Sequence, residues 1–435
     1  MDCISFNQDC SNLVIGSKSG YQLYNLSQKD VGQVVRTHRN TVKKNLCLIT
    51  RLFNSSLIAM VTEDQRSTLK LRHLKKDAEI CERSYRGNIL AVKLNRQRLV
   101  VCLTEFYIIH DIRDMNILHT ITSPVRNPTG LCALSVLNHS ALLAYPSSDD
   151  SGTLEIFDAL TLELQIQIEA HSSKLAAVAF SHNADMIATA SCKGTVIRLF
   201  SVSTGEKLME FRRGLRRCVT ISSLVFSKDG MFLVASSNTE TVHVFKVTER
   251  DNENTSGSWA NYLTSTITSS ASALIPFSGS LNAWRNFATA RLQEGGLCTT
   301  AGIVTLKNVP YILVVNSNAE LQVFKLDVEN GGECELISTQ SLAFEEKETY
   351  KSVSSSSSSS VSSDTLVSRE YTISDASYAY KLKRDRGEGP VTSHQELNEI
   401  IDNIPALEEV KRLEMNLDNI KLDDSNEFPP MNSLQ

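Results

Sequence analysis

Residues 186–202 read MIATASCKGTVIRLFSV. An apolar run meets a short polar turn, and apolar and polar side chains then alternate up to a terminal aromatic. Successive side chains on extended chain point to opposite faces. The stretch therefore predicts a β-hairpin that turns at CKG. The pattern recurs as LVIGSKSGYQLYNL (13–26), LIAMVTEDQRSTLKLRHL (57–74), LVVCLTEFYIIHDI (99–112), LLAYPSSDDSGTLEIFDA (142–159), MFLVASSNTETVHVFKV (231–247) and YILVVNSNAELQVFKLD (311–327). Most copies start about 40 to 45 residues apart, the length of one four-stranded propeller blade. Strand-like runs such as LAAVAF (175–180) and ISSLVF (221–226) lie between them. A lone blade cannot bury both of its faces, so regular repetition predicts an all-β chain closed into one seven-bladed β-propeller over residues 1–340. A β-sandwich or two smaller β domains is the alternative. WD-type signatures are weak, which makes the propeller a divergent one.

The rhythm breaks once. Met231 and Tyr311 stand 80 residues apart, nearly twice the usual step. An insertion inside blade six, at 249–285, explains the gap. Its sequence, TERDNENTSGSWANYLTSTITSSASALIPFSGSLNAW (248–284), turns apolar without becoming strand-like. Trp259, Tyr262, Leu263, Ile267, Leu274, Ile275, Phe277, Leu281 and Trp284 stand among Ser, Thr and Asn. A long surface loop stays polar unless something covers it. The loop either folds over the propeller rim or enters a bilayer interface, where Trp and Tyr are well accommodated.

Between the fifth and sixth hairpins lies EFRRGLRRC (210–218), which puts four arginines into a chain of formal net charge -5. EKLMEF (206–211) reads as a strand, so Arg212 and Arg213 should serve different neighbours. Gly214 permits a turn. Arginine binds phosphate with a planar fork and keeps its charge. The fifth hairpin brings Ser191, Thr195 and Arg198 to one side, and the sixth brings Ser237, Thr241 and His243 to the other. Hydroxyls, arginine and histidine together form a phosphate-binding mixture. A solvated face or salt-bridge partners are the plainer alternative.

FRRG, ATAS-x-KGTVIR and ASSNTETVHVFK together resemble the PROPPIN (WIPI) family of phosphoinositide-binding propellers, and the resemblance covers about residues 1–340. It implies binding of phosphatidylinositol 3-phosphate and the 3,5-bisphosphate at forming autophagosomes and on endosomes, by a chain that is peripheral on those membranes and otherwise cytoplasmic. By motif match, a first lipid site would use His171, Ser191, Thr195, Arg198 and Arg212, with Lys193 and Gly194 in the adjoining turn. A second would use Arg213, Ser237, Thr241 and His243. The insert matches the family's membrane-inserting loop by location and composition. Two sites facing one membrane raise the effective concentration at the second once the first is filled. His243 would strengthen binding at mildly acidic pH if the ring gained charge there. Arg216 and Arg217 would add general attraction.

A second basic group comprises His73, Lys76, Arg96 and Arg113, from HLKK (73–76), KLNRQR (93–98) and IRD (112–114). It is ordinary surface charge or a groove for an acidic peptide or helix. In some members of the resembled family this region recruits the autophagy conjugation machinery, so conjugation or scaffold proteins are the expected partners. After residue 339 the chain carries 18 acidic and 10 basic residues, against 31 and 34 before it. SSSSSSS (354–360) predicts a disordered linker over 341–392. Tyr350 and Val353 match a short aromatic-xx-aliphatic motif for ubiquitin-like proteins. Ser393 and Glu396 form a capping box before Leu397, Ile400, Ile401 and Ile404, a short amphipathic helix within the 393–435 tail that Pro405 interrupts.

Other function classes find little support. There is no P-loop, GxSxG or HExxH, so an enzyme is not expected. The ten cysteines form no CxxC pair and read as reduced thiols without a metal or cofactor. The small positive excess before residue 340 argues against nucleic acid. No apolar run of about 18 residues predicts a membrane span, and MDCISFNQDC lacks the basic start and apolar core of a signal peptide. A monomeric propeller is expected. The competing function is a WD-type interaction scaffold without lipid binding.

Overall fold

A computed structural model describes residues 3–26, 34–40, 45–137, 139–214, 218–247, 283–284 and 286–344. They form seven sheets, each with a four-stranded antiparallel core, arranged as the blades of a propeller. Blade one comprises Cys3–Phe6, Asn12–Ser17, Gly20–Asn25 and Val35–Asn40. Blade two comprises Leu46–Arg51, Leu57–Thr62, Gln65–His73 and Ala78–Ser84. Blade three comprises Ala91–Leu94, Arg98–Cys102, Phe106–Asp111 and Ile117–Thr122. Blade four holds Ala133–Leu134, Leu142–Pro146, Gly152–Asp158 and Glu163–His171, and blade five Leu175–Phe180, Met186–Ser191, Val196–Ser201 and Lys207–Arg212. Blade six holds Ile221–Phe226, Phe232–Ser237, Thr241–Lys246 and Ala288–Arg291, and blade seven Thr299–Leu306, Val309–Asn316, Glu320–Lys325 and Glu335–Ser341. All seven sequence hairpins are the second and third strands of a blade.

The strand order follows from burial. Second strands such as NLVIGS and FLVASS are buried along their whole length, because neighbouring blades cover both faces. They therefore read as continuous apolar runs. Outer strands such as ILHTIT expose much of their surface. First strands line a central channel of about 440 Å³. Between blades, apolar clusters replace backbone ladders. Ile197, Leu199 and Phe211 of blade five pack on Leu233, Ala235 and Phe245 of blade six, with Phe211 and Phe245 stacked at 4.8 Å.

The ring closes without exchanging a strand. Blades one and seven each use only strands of their own and meet through an apolar cluster holding Leu13, Tyr24, Val34, Val315 and Leu342. Gln340 clamps the seam: its Oε1 accepts from the Val34 N–H at 3.1 Å, and its Nε2 donates to the Val34 carbonyl at 3.3 Å. The Tyr24 hydroxyl donates to the Leu342 carbonyl at 3.2 Å.

Two outer edges are extended. Ala283–Trp284 runs parallel to Glu210 and Phe211 on blade five, and Gly332–Glu333 runs parallel to Ala288 and Thr289 on blade six. The third and fourth strands of blade six, adjacent in space, bracket the long insertion.

Candidate functional site

Register within blade five decides which way each side chain points. Arg198 lies opposite both Thr189 and Glu210. Alternation then puts Ser191, Thr189, Arg198, Glu210 and Arg212 on one face, and Ile197, Leu199 and Phe211 on the other. The second set packs on blade six, so the first faces blade four.

That first cleft is built around His171, the last residue of blade four's outer strand. Its Nε2 lies 3.0 Å from Thr189 Oγ1. Burial, reinforced by the positive charge of Arg198, pushes the His171 pKa down to about 4. Arg198 donates from Nη1 to the Ala170 carbonyl at 2.7 Å and from Nε to Glu210 Oε2 at 2.9 Å. Burial alone would raise the Glu210 carboxyl, but the hydrogen bond and charge of Arg198, with help from Lys207, hold it below the usual carboxylate range. Arg212 lies two residues beyond Glu210, opposite Val196, with its Nε buried and without a hydrogen-bond partner. Ser191 is buried at the end of the second strand.

The turn beside it requires glycine. Gly194 has φ +61, and a Cβ there would stand 1.9 Å from the Val219 carbonyl oxygen. The Val219 N–H donates to the Lys193 carbonyl at 3.3 Å, which staples the chain returning from FRRG over this turn.

The second cleft lies between blades five and six. The Arg213 N–H donates to the Thr195 carbonyl at 3.0 Å, tying the two residue sets together through backbone. Arg213 Nη2 donates to Ser237 Oγ at 2.8 Å and also to Thr239 Oγ1. The two hydroxyl oxygens stand 3.0 Å apart. Thr241 Oγ1 lies 3.4 Å from His243 Nε2, and His243 Nδ1 is buried without a hydrogen-bond partner. Burial, then the Arg213 charge, pushes His243 down to about 4. This runs against the expected gain of charge at mildly acidic pH, since burial and Arg213 both favour the neutral ring in the free protein. Thr239 was not singled out from the sequence, although it sits two residues after Ser237 in the same turn.

The PROPPIN family model matches residues 1–343. The chain belongs to the PROPPIN family. It is 46% identical over 345 residues to WD repeat domain phosphoinositide-interacting protein 1 of Xenopus laevis, with 78% of each chain covered. Autophagy-related protein 18 of Caenorhabditis elegans is 35% identical over 346 residues, 77% of this chain and 84% of that one. Among solved structures, the complex of KlAtg21 with the coiled-coil of AgAtg16 matches with a TM-score of 0.59 at 24% identity, covering 78% of this PROPPIN and 98% of that chain.

The second basic group is only partly a surface groove. Turns 74–77, 95–97 and 112–116 share one face of blades two and three, as the strand directions require. His73, however, is buried, and its Nδ1 accepts from the Lys76 N–H at 3.1 Å. It supports the turn and does not line a groove. The Arg96 guanidinium sits 4.0 Å from the centre of the Phe53 ring. Lys76 and Arg113 are exposed.

Trp259, Tyr262, Leu263, Leu274, Ile275 and Phe277 of the insert lie outside the described residues. So do Arg216 and Arg217 and everything from residue 345 on. The backbone of Trp284 is described, and it pairs with Phe211 on the outer edge of blade five. The return of the insert therefore runs beside the strand that carries Arg212.

Proposed function

We propose that this PROPPIN is a phosphoinositide effector. It binds phosphatidylinositol 3-phosphate and phosphatidylinositol 3,5-bisphosphate through two rim sites and recruits autophagy machinery to forming autophagosomes. The observation that carries the reading is the divergence of two adjacent arginines. Arg213 reaches the blade six hydroxyls, whereas Arg212 lies on the blade four side, and the buried Nε of each makes no hydrogen bond. A phosphate monoester supplies acceptors of the kind that Arg212 Nε lacks, and charge-assisted bonds of this kind are the stronger class. Hydroxyls rotate to donate or accept as the headgroup requires. The printed names of the relatives, phosphoinositide-interacting and autophagy-related, agree with this reading.

One headgroup site gives modest affinity, and a second on the same rim raises it through effective concentration. The insert, entering beside blade five, would add apolar burial at about 25 cal/mol per Å². The chain would then sit peripherally on phagophore and endosomal membranes. Lys76, Arg96 and Arg113 offer a basic surface for an autophagy conjugation or scaffold protein. The KlAtg21 complex with an AgAtg16 coiled-coil is a precedent of that kind in another propeller.

Flotation with vesicles containing phosphatidylinositol 3-phosphate tests the proposal. Replacing Arg212 and Arg213 together by Ala should abolish binding, and each single change should weaken it. Undiminished binding of the double variant would refute the two-site reading and leave an interaction scaffold.

A further inference from the structure

We propose that Glu210 is an internal counter-ion that weakens the first rim site by competing with the incoming phosphate for Arg198. The inference rests on the two-site reading above.

Glu210 is the carboxylate in contact with two cations of the first cleft. Its Oε2 accepts from Arg198 Nε at 2.9 Å and lies 3.4 Å from Lys207 Nζ. Its side chain is 12% exposed and that of Arg198 29%, so the pair is partly shielded and only partly screened by solvent. Arg198 also spends an Nη1 hydrogen on the Ala170 carbonyl. Two of its five donors are therefore committed before any ligand arrives. In the second cleft, Arg213 Nη2 donates to two hydroxyls, which turn toward a phosphate instead of repelling it.

Blade two shows the same construction without the binding arginine. Lys70 lies opposite Glu82 at the corresponding register and pairs with it at 3.4 Å. The position two residues beyond Glu82 is Ser84, where blade five has Arg212. The blade two pair is a closed staple between the third and fourth strands. In blade five the added Arg212 leaves the cluster with a positive excess, and Glu210 sets how large that excess is.

The test uses the full chain and vesicles containing phosphatidylinositol 3-phosphate, with affinity measured by flotation. Glu210→Gln keeps the shape and removes the charge. In an Arg213→Ala background, which isolates the first site, it should tighten binding on the order of fourfold, the factor one unit charge about 5 Å away carries in a water-like dielectric. In an Arg212→Ala background it should change nothing. Weaker binding in the first background would show that Glu210 orients Arg198 for the ligand, and equal gains in both would reduce the effect to general charge. Either overturns the proposal, as does no change in either background. If Glu210→Gln lowers the melting temperature appreciably, Glu210→Met replaces it with the same expected outcomes. Failure of the parent chain to bind these vesicles would overturn the two-site reading itself, a result distinct from the others.

Discussion

The clefts on either side of blade five differ in what holds their arginines. In the first, a carboxylate and a backbone carbonyl hold Arg198, and Arg212 is left with an unmet donor. In the second, hydroxyls at Ser237 and Thr239 hold Arg213. An arginine satisfied by a carboxylate must give up a charge pair to bind an anion. One satisfied by hydroxyls loses hydrogen bonds to uncharged acceptors, each worth about 1.5–3 kcal/mol net, but no charge pair.

The largest way to break this comparison is to remove the wall the clefts share. Gly194→Ala puts a Cβ onto the Val219 carbonyl at a positive φ. It should cost about 1–3 kcal/mol in urea unfolding, the range of strained-backbone changes. A loss below about 0.5 kcal/mol would mean that the turn relaxes freely. Next is Arg213→Lys, which keeps the charge and loses the fork. Vesicle binding should fall about tenfold, the scale of one lost charge-assisted hydrogen bond, while an Arg212→Lys protein keeps its second cleft intact. Equal behaviour of the two variants would erase the difference between the clefts.

The histidines give a smaller, pH-dependent effect. Both are held near 4, below their ordinary value, so the unfolded chain binds protons that the folded one does not. Stability should rise with pH from about 4 to 6.5 and level off above. His243→Gln should flatten part of that rise in melting-temperature scans. Vesicle binding should be nearly flat between pH 5.5 and 7.5, apart from the lipid phosphate's own ionisation; a steep rise toward 5.5 would mean that bound phosphate restores charge to His243. The smallest effect belongs to Lys207→Gln. Its Glu210 contact is long and the lysine side chain is 48% exposed, so stability should change by no more than about 0.5 kcal/mol.

The hairpins were readable because second strands, covered on both faces, leave continuous apolar runs, and third strands leave an alternating one. The split of Arg212 from Arg213 was readable for the same reason, since strand alternation is local. Glu210 was not, because its pairing with Arg198 depends on the register between two strands and a bulge between Leu199 and Phe200. Thr239 was hidden in a turn whose geometry the alternation rule does not reach. His73 was misjudged because a basic residue beside two lysines reads as surface, whereas the end of its strand is buried. The two-residue strands at 283–284 and 332–333 carry no pattern of their own; tertiary neighbours create them.

The uncrossed seam at Gln340 has a consequence for how the chain is made. The four core strands of every blade follow one another along the chain, so a chain emerging from the ribosome can build each four-stranded sheet in turn, and the edge strands at 283–284 and 332–333 join blades five and six afterwards. Blade one forms first and then waits with one flank uncovered until Val315, Gln340 and Leu342 arrive. That flank, rich in Leu, Tyr and Val, is the surface a chaperone would guard during synthesis.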